Sequence, residues 1–186
     1  MFLGRAAVPL YNKPGGGSNF LCLHEDPQWK NYFVGHQSYT AAIGGAEYDF
    51  FPNYNVFSEI NNGGRPLFNN PASCAVCYVP HRSTILMIPA RTQCPDGWSK
   101  EYGGYLVAES SGNDGSLRRR SSYICVDEAP EVAAGNVEQN HAVMYTVEVH
   151  CGSLPCSVYL HERELTCVVC SKWRILDAGH RMDVTW

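Results

Sequence analysis

The length, composition and charge of the chain are those of a globular protein. It has 186 residues, of which 45% are hydrophobic and 17% are charged, and its formal net charge at pH 7 is −4. This apolar content is enough to form a core and excludes an intrinsically disordered chain. The weak, dispersed charge gives no support for nucleic acid or an anionic membrane as a partner. No uncharged apolar run approaches the roughly 18–20 residues that a membrane span needs, so no span is expected.

Short strands between turn-rich loops dominate the predicted secondary structure. The clearest alternation runs over Ala142–His150, where every second side chain from Val143 to Val149 is apolar or aromatic and would share one face of a sheet. Helical periodicity is weak, and we expect only short helical turns near Pro27–Tyr32 and Pro130–Ala134. The other predicted strands, in chain order, are Phe20–Leu23, Ala75–Val79, Thr84–Ile88, Tyr105–Ala108, Tyr123–Val126 and Leu165–Val169.

Two segments of the chain recur in the same order, which indicates an internal duplication. Residues 18–27 align without a gap on residues 121–130, and Cys74–Cys77 aligns on Cys167–Cys170. The predicted organisation is a first repeat at 1–90, a second repeat at 91–173 and a C-terminal tail at 174–186.

The gapless register, extended upstream, predicts a deficit in the first repeat. It places Met1 on Gly104 and Phe2–Leu3 on Tyr105–Leu106. Cys94–Gly103 then have no counterpart, so we expect the chain to begin partway into its first repeat.

The cysteines indicate a disulfide framework. Nine cysteines recurring at matched positions favour disulfides and an oxidising compartment, so we expect an extracellular, secreted protein. Each Cys-x-x-Cys is expected to anchor two earlier cysteines, because the apolar residues inside it are strand-like and disfavour a direct bond. Structural zinc is the alternative, but turn residues are missing after the candidate ligands.

Four stretches carry a resemblance to a known family: CAVCYVP at 74–80, LMIPARTQCPDGWSKEYGGYLVAE at 86–109, YICVDEAPE at 123–131 and VEVHCGSLPCSVYLHERELTCVVCSKW at 147–173. Together they resemble the C-terminal globular domain of invertebrate short-chain (spongin-type) collagens. That domain is similar to the duplicated non-collagenous domain of type IV collagen, which directs chain trimerisation. The resemblance implies a mostly β (β-rich α+β) fold of two tandem, disulfide-stapled repeats of the C-type-lectin-like class. No Gly-x-y repeat is present, so no triple helix is encoded.

The resemblance also implies a pairing of the cysteines. It leaves Cys77 as an unpaired or intermolecular thiol. The implied bonds are Cys22–Cys74, Cys94–Cys170, Cys125–Cys167 and Cys151–Cys156.

No catalytic motif is present, so we expect a non-enzymatic protein without a metal or cofactor. Serine-hydrolase, zinc-protease and phosphate-binding-loop signatures are all missing from the sequence. The acidic pairs Glu25-Asp26 and Asp127-Glu128 recur at matched positions, where a role in capping the turns before Pro27 and Pro130 is expected. Calcium coordination is the alternative.

An aromatic and asparagine-rich segment of the first repeat is the candidate ligand or partner loop. Such side chains stack on sugar rings or pack on a partner subunit, although packing within its own repeat is the alternative. The candidate residues are Tyr48, Phe51, Asn53, Tyr54, Asn55, Phe57, Asn61 and Asn62.

We therefore expect an extracellular interaction or oligomerisation module. Its expected partners are further copies of itself, with a trimer as the state that the family implies, and other matrix proteins or glycans. A carbohydrate-binding lectin that uses the asparagine-rich loop is the alternative. Docking of the apolar tail at 174–186 on a neighbour or on its own domain is expected.

Overall fold

The computed structural model describes residues 1–10, 17–31, 33–35, 40–50, 56–109, 121–134 and 142–173. Within them the protein is β-rich, as predicted, and its helical content is a single 3-10 turn at Ile60–Asn62. The tail at 174–186 lies outside the described residues. The strands are β1 (Phe2–Pro9), β2 (Leu21–His24), β3 (Ile43–Gly45), β4 (Glu47–Tyr48), β5 (Asn70–Pro71), β6 (Ser73–Val76), β7 (Arg82–Pro89), β8 (Ser99–Ala108), β9 (Ile124–Asp127), β10 (Val143–Thr146) and β11 (Thr166–Trp173).

The strands form two sheets. Sheet I belongs to the first half of the chain: β1 is central, with β2 on one side and both β3 and β6 on the other, all antiparallel. Sheet II has the order β5-β4-β10-β8-β11-β7, and β9 pairs with β8. Strands β4, β5 and β7 precede residue 90, so sheet II contains strands from both halves.

The register around β1 recurs around β8. Gly4 lies opposite His24 and Cys74. In the same way Gly104 lies opposite Asp127 and Cys167.

Gly4 therefore takes the position of Gly104, and the gapless upstream alignment that placed Met1 there is wrong. The loop between β8 and β9 is longer than the loop between β1 and β2, and length differences in loops are well tolerated. In the corrected register Phe2–Leu3 match Tyr102–Gly103. The segment without a counterpart in the first half shortens from Cys94–Gly103 to Cys94–Lys100.

The predicted helical turns are not present in the described residues of these two segments. Val132 makes an antiparallel bridge to Ala72, and the carbonyl of Glu131 accepts hydrogen bonds from Ser73. The backbone at 131–133 therefore pairs with the outer side of residues 71–73 instead of turning. Residues 27–31 contain no helix either.

The two halves share one apolar core. It joins Val8, Tyr48, Phe57 and Leu67 of the first half to Val107 and Met144 of the second. Met144 and its neighbour Val143 are both buried because β10 lies in the interior of sheet II, which hides the alternation that a half-exposed strand would show.

Candidate functional site

Four disulfides hold the described strands together, and they join the four pairs that the resemblance implies. The Cα atoms are 5.8 Å apart in Cys22–Cys74 and 5.7 Å apart in Cys125–Cys167. The corresponding distances are 5.9 Å in Cys94–Cys170 and 5.5 Å in Cys151–Cys156, all in the usual range. Cys22–Cys74 and Cys125–Cys167 take equivalent places, each beside the glycine at the centre of its sheet.

Cys77 is an exposed free thiol. Cys77 comes directly after β6. The residue at the matched position, Cys170, lies within β11 and is bonded to Cys94. No residue from 1 to 90 takes the position of Cys94 in this register, so the bond that Cys170 makes has no equivalent at Cys77 within residues 1–186.

The outer edge of β6 is the main difference between the two halves. Strand β11 is paired on both sides, by β8 and by β7. In the described part of the chain β6 is paired along its length only by β1, with residues 131–133 covering its first end. The outward amide and carbonyl of Ala75 therefore face no strand among the described residues.

The segment that contains Phe57 joins the two halves. We define the Phe57 loop as residues 56–69. Asn61 Nδ2 donates a hydrogen bond to the carbonyl of Ala129 (3.0 Å), and Asn62 Oδ1 accepts one from the backbone amide of Val132 (3.0 Å). Arg65 donates to the carbonyl of Val132 at 3.0 Å. The loop is thus fastened to the second half, a contact that no motif in the sequence indicated.

Several residues of the predicted ligand loop lie in the core. Tyr48, Phe57 and Asn62 are buried, whereas Asn61 is exposed. The other predicted members, Phe51, Asn53, Tyr54 and Asn55, lie outside the described residues.

The hydroxyl of Tyr48 donates to the carbonyl of Glu131 at 3.1 Å. Burial raises the pKa of Tyr48 far above its usual value, and the Glu131 and Asp127 carboxylates raise it further. The hydroxyl of Tyr48 therefore keeps its proton, and with it the hydrogen bond that joins the two halves.

The acidic pairs lie at turns. Asp127 Oδ1 accepts a hydrogen bond from the amide of Ala129 at 2.9 Å. At the matched position of the first half, His24 Nδ1 accepts one from the amide of Asp26, also at 2.9 Å. The two turns are stabilised in the same way by different side chains. Within the described ranges, no group of three or more His, Cys, Asp or Glu residues could hold a metal ion.

Each half of the chain has one exposed apolar surface among its described residues. The first, which we call the outer face of sheet I, contains Leu3, Leu21 and Leu23. The second is on the Cys151 loop, defined as residues 150–164, and contains Leu154, Val158 and Leu160. Isolated exposed apolar residues are common, but clusters on one surface indicate a contact.

No helix in the described residues is long and apolar enough to cross a membrane. Comparisons with protein-family models, curated proteins and solved structures find no match to this chain.

Proposed function

We propose that this protein is a non-enzymatic extracellular assembly module whose copies associate with one another. In this proposal its two halves are tandem repeats of the C-type-lectin-like class, akin to the terminal domain of short-chain collagens. The association joins subunits of a matrix or of a secreted multimer.

The observation that carries the proposal is the open outer edge of β6. Its counterpart β11 is covered by β7, a strand that comes from the other half of the chain. An edge strand with free amides and carbonyls is a template for pairing with another strand. A strand from a second copy would complete the first half as β7 completes the second.

The disulfides support the extracellular part of the proposal. Four bonds in a chain of 186 residues are typical of an oxidising compartment. They also keep the edge strand fixed, since Cys74 of β6 is bonded to Cys22 of β2.

The lectin alternative is less well supported. Tyr48, Phe57 and Asn62 are buried and are fastened to other parts of the protein, so they are unavailable to stack on or bind a sugar.

The experiment is light scattering coupled to size-exclusion chromatography at micromolar concentration. We expect the wild-type protein to be oligomeric and Ala75→Pro to be shifted towards the monomer, because proline removes the outward amide of the edge. Ala75→Thr, which keeps that amide, is the matched control and should associate as the wild type does. A wild-type monomer across the micromolar range would contradict the proposal.

A further inference from the structure

We propose that the outer face of sheet I is the binding site for the Cys151 loop of a second copy of the chain. This inference rests on the proposed self-association and adds a second contact to the pairing at the outer edge of β6. The chain already contains one contact of this kind, between its two halves.

Within the chain, the Phe57 loop packs against sheet II. The ring of Phe57 meets the ring of Tyr105 edge-on, with centroids 5.2 Å apart. Ile124 and Val126 are partly buried against the same core cluster. Because Tyr105 pairs with Val126 and Val107 pairs with Ile124, all four side chains share one face of the sheet. The Phe57 loop thus covers the β8–β9 face.

The matching face of sheet I is only partly covered by the described residues: Ala7 is fully buried and Arg5 donates to the carbonyl of Ala134, whereas the leucines of this face are exposed. Its pairs are Arg5 with Leu23 and Ala7 with Leu21, in the register that Tyr105 and Val107 have in sheet II. Leu21 and Leu23, which match Ile124 and Val126, are 45% and 43% exposed. Leu3, two residues before Arg5 on the same face, is exposed as well. The apolar character is retained at these positions although the described part of the chain leaves about half of each leucine exposed.

The Cys151 loop matches the Phe57 loop in its place along the chain. The amide of Ala72 donates to the carbonyl of Ala46, and the amide of Leu165 donates to the carbonyl of Val147. The amide of Ala46 in turn donates to the carbonyl of Ala6 in β1. The amide of Val147 donates to the carbonyl of Leu106, the matched residue in β8. The two loops therefore span the same pair of anchoring points in their respective halves.

The Cys151 loop also carries the apolar side chains that such a contact needs. Val158 and Leu160 are 73% and 65% exposed, and Leu154 is exposed too. The Cys151–Cys156 disulfide and the hydrogen bond from Val158 N to the carbonyl of Pro155 fix the loop, which lowers the entropy lost on binding. Glu162, within the loop and beside His161, has an exposed carboxylate whose charge is opposite to that of Arg5, the basic residue of the receiving face, which also donates to the carbonyl of Ala134.

The contact has a direction. The loop and the face of one chain are both exposed, so its own loop does not cover its own face. The contact thus joins a loop of one subunit to a face of another, a heterologous arrangement that forms a ring when the rotation between subunits closes. A face-to-face pairing of two sheets would instead be isologous.

Mixing two variants tests this arrangement. Leu21→Glu damages the face and keeps the loop, whereas the double variant Val158→Glu/Leu160→Glu damages the loop and keeps the face. Each alone should show a dissociation constant at least about tenfold higher than the wild type. Mixed in equal amounts, they should form a one-to-one dimer by native mass spectrometry, because the mixture retains one intact loop and one intact face. Ile60→Glu, at an exposed residue that belongs to neither surface, is the control and should associate as the wild type does.

The outcomes separate the two proposals. A wild-type monomer would overturn the assembly function itself. A wild-type oligomer that both variants leave unchanged, or that both weaken without recovery on mixing, would keep the assembly function and overturn the loop-to-face contact. Circular dichroism spectra of each variant verify that it is folded, and Leu3→Glu is a second face variant in case Leu21→Glu does not fold.

Discussion

Gly4 and Gly104 lie at the same place in two sheets, each beside a disulfide and each pressed against the neighbouring strand. A Cβ atom on Gly104 would lie 1.9 Å from the carbonyl oxygen of Val126, and one on Gly4 would lie 2.2 Å from that of Leu23. No real Cβ contact is this short, so these strands pack as closely as they do only with glycine.

Gly104→Ala should therefore strongly destabilise the protein. The methyl group meets backbone that cannot move without shifting β8 against β9, and forced overpacking costs typically 1–3 kcal/mol, occasionally more. We expect a loss of at least roughly 3 kcal/mol from the free energy of unfolding, measured by urea denaturation. Gly45→Ala is the matched control, because a Cβ there meets nothing within 4 Å. Equal stability of the two variants would contradict this close packing.

The sequence predicted the strands that are rich in β-branched and aromatic residues, but it did not predict β1. The segment Gly4–Ala7 has low β propensity and becomes a central strand only because β2, β3 and β6 pair with it. The repeat was visible because cysteines and aromatic residues mark it, yet its register upstream of residue 18 required the strand pairing of Gly4.

The candidate loop was less predictable than the strands. Asparagine and aromatic residues at 48–62 indicate a binding surface or a packed loop equally well, and the choice depends on residues far away in sequence. Asn62 and Val132 illustrate this, since their hydrogen bond joins two halves of the chain. No local pattern contains that information.

The phenyl ring of Phe57 should be essential for joining the halves. It stacks on Phe50 at 4.4 Å between centroids and meets Tyr105 of the second half. Phe57→Ala leaves a cavity in the shared core and should lower the free energy of unfolding by about 3–5 kcal/mol. The exposed Ile60, on the same loop, gives the control: Ile60→Ala should stay within about 0.5 kcal/mol of the wild type. Thermal denaturation followed by circular dichroism measures both, and similar values for the two would place Phe57 outside the core.

Thiol counting should separate Cys77 from the bonded cysteines. In the native wild-type protein, a thiol reagent should react with Cys77 alone, whereas Cys77→Ser should give no reaction. Cys94→Ser should still give a single reactive thiol when native, because the released Cys170 is completely buried, and a second one only after denaturation. This variant should also lose about 2–5 kcal/mol of stability. An unreactive wild type with doubled mass on a non-reducing gel would mean that Cys77 is bonded between chains.

The buried hydroxyl of Tyr48 should make the protein sensitive to alkali. Burial raises the pKa of Tyr48 above the ordinary value of 10.0, which it regains on unfolding. Below pH 10 the tyrosine is protonated in both states, so its contribution to the free energy of unfolding is fully retained. Above pH 10 the unfolded chain binds fewer protons than the folded one. Stability falls as pH rises through the folded value, by about 1.4 kcal/mol per pH unit for one such group. Tyr48→Phe removes this titration but also the hydrogen bond to Glu131, which contributes roughly 1 kcal/mol.

The variant should therefore be less stable than the wild type at pH 8, and the difference should shrink or reverse above pH 10. Urea denaturation at several pH values measures it, in a Cys77→Ser background that prevents thiol exchange. Tyr123→Phe, at an exposed tyrosine, should keep the wild-type slope. A Tyr48→Phe slope as steep as that of the wild type would show that the alkaline loss of stability arises from other groups.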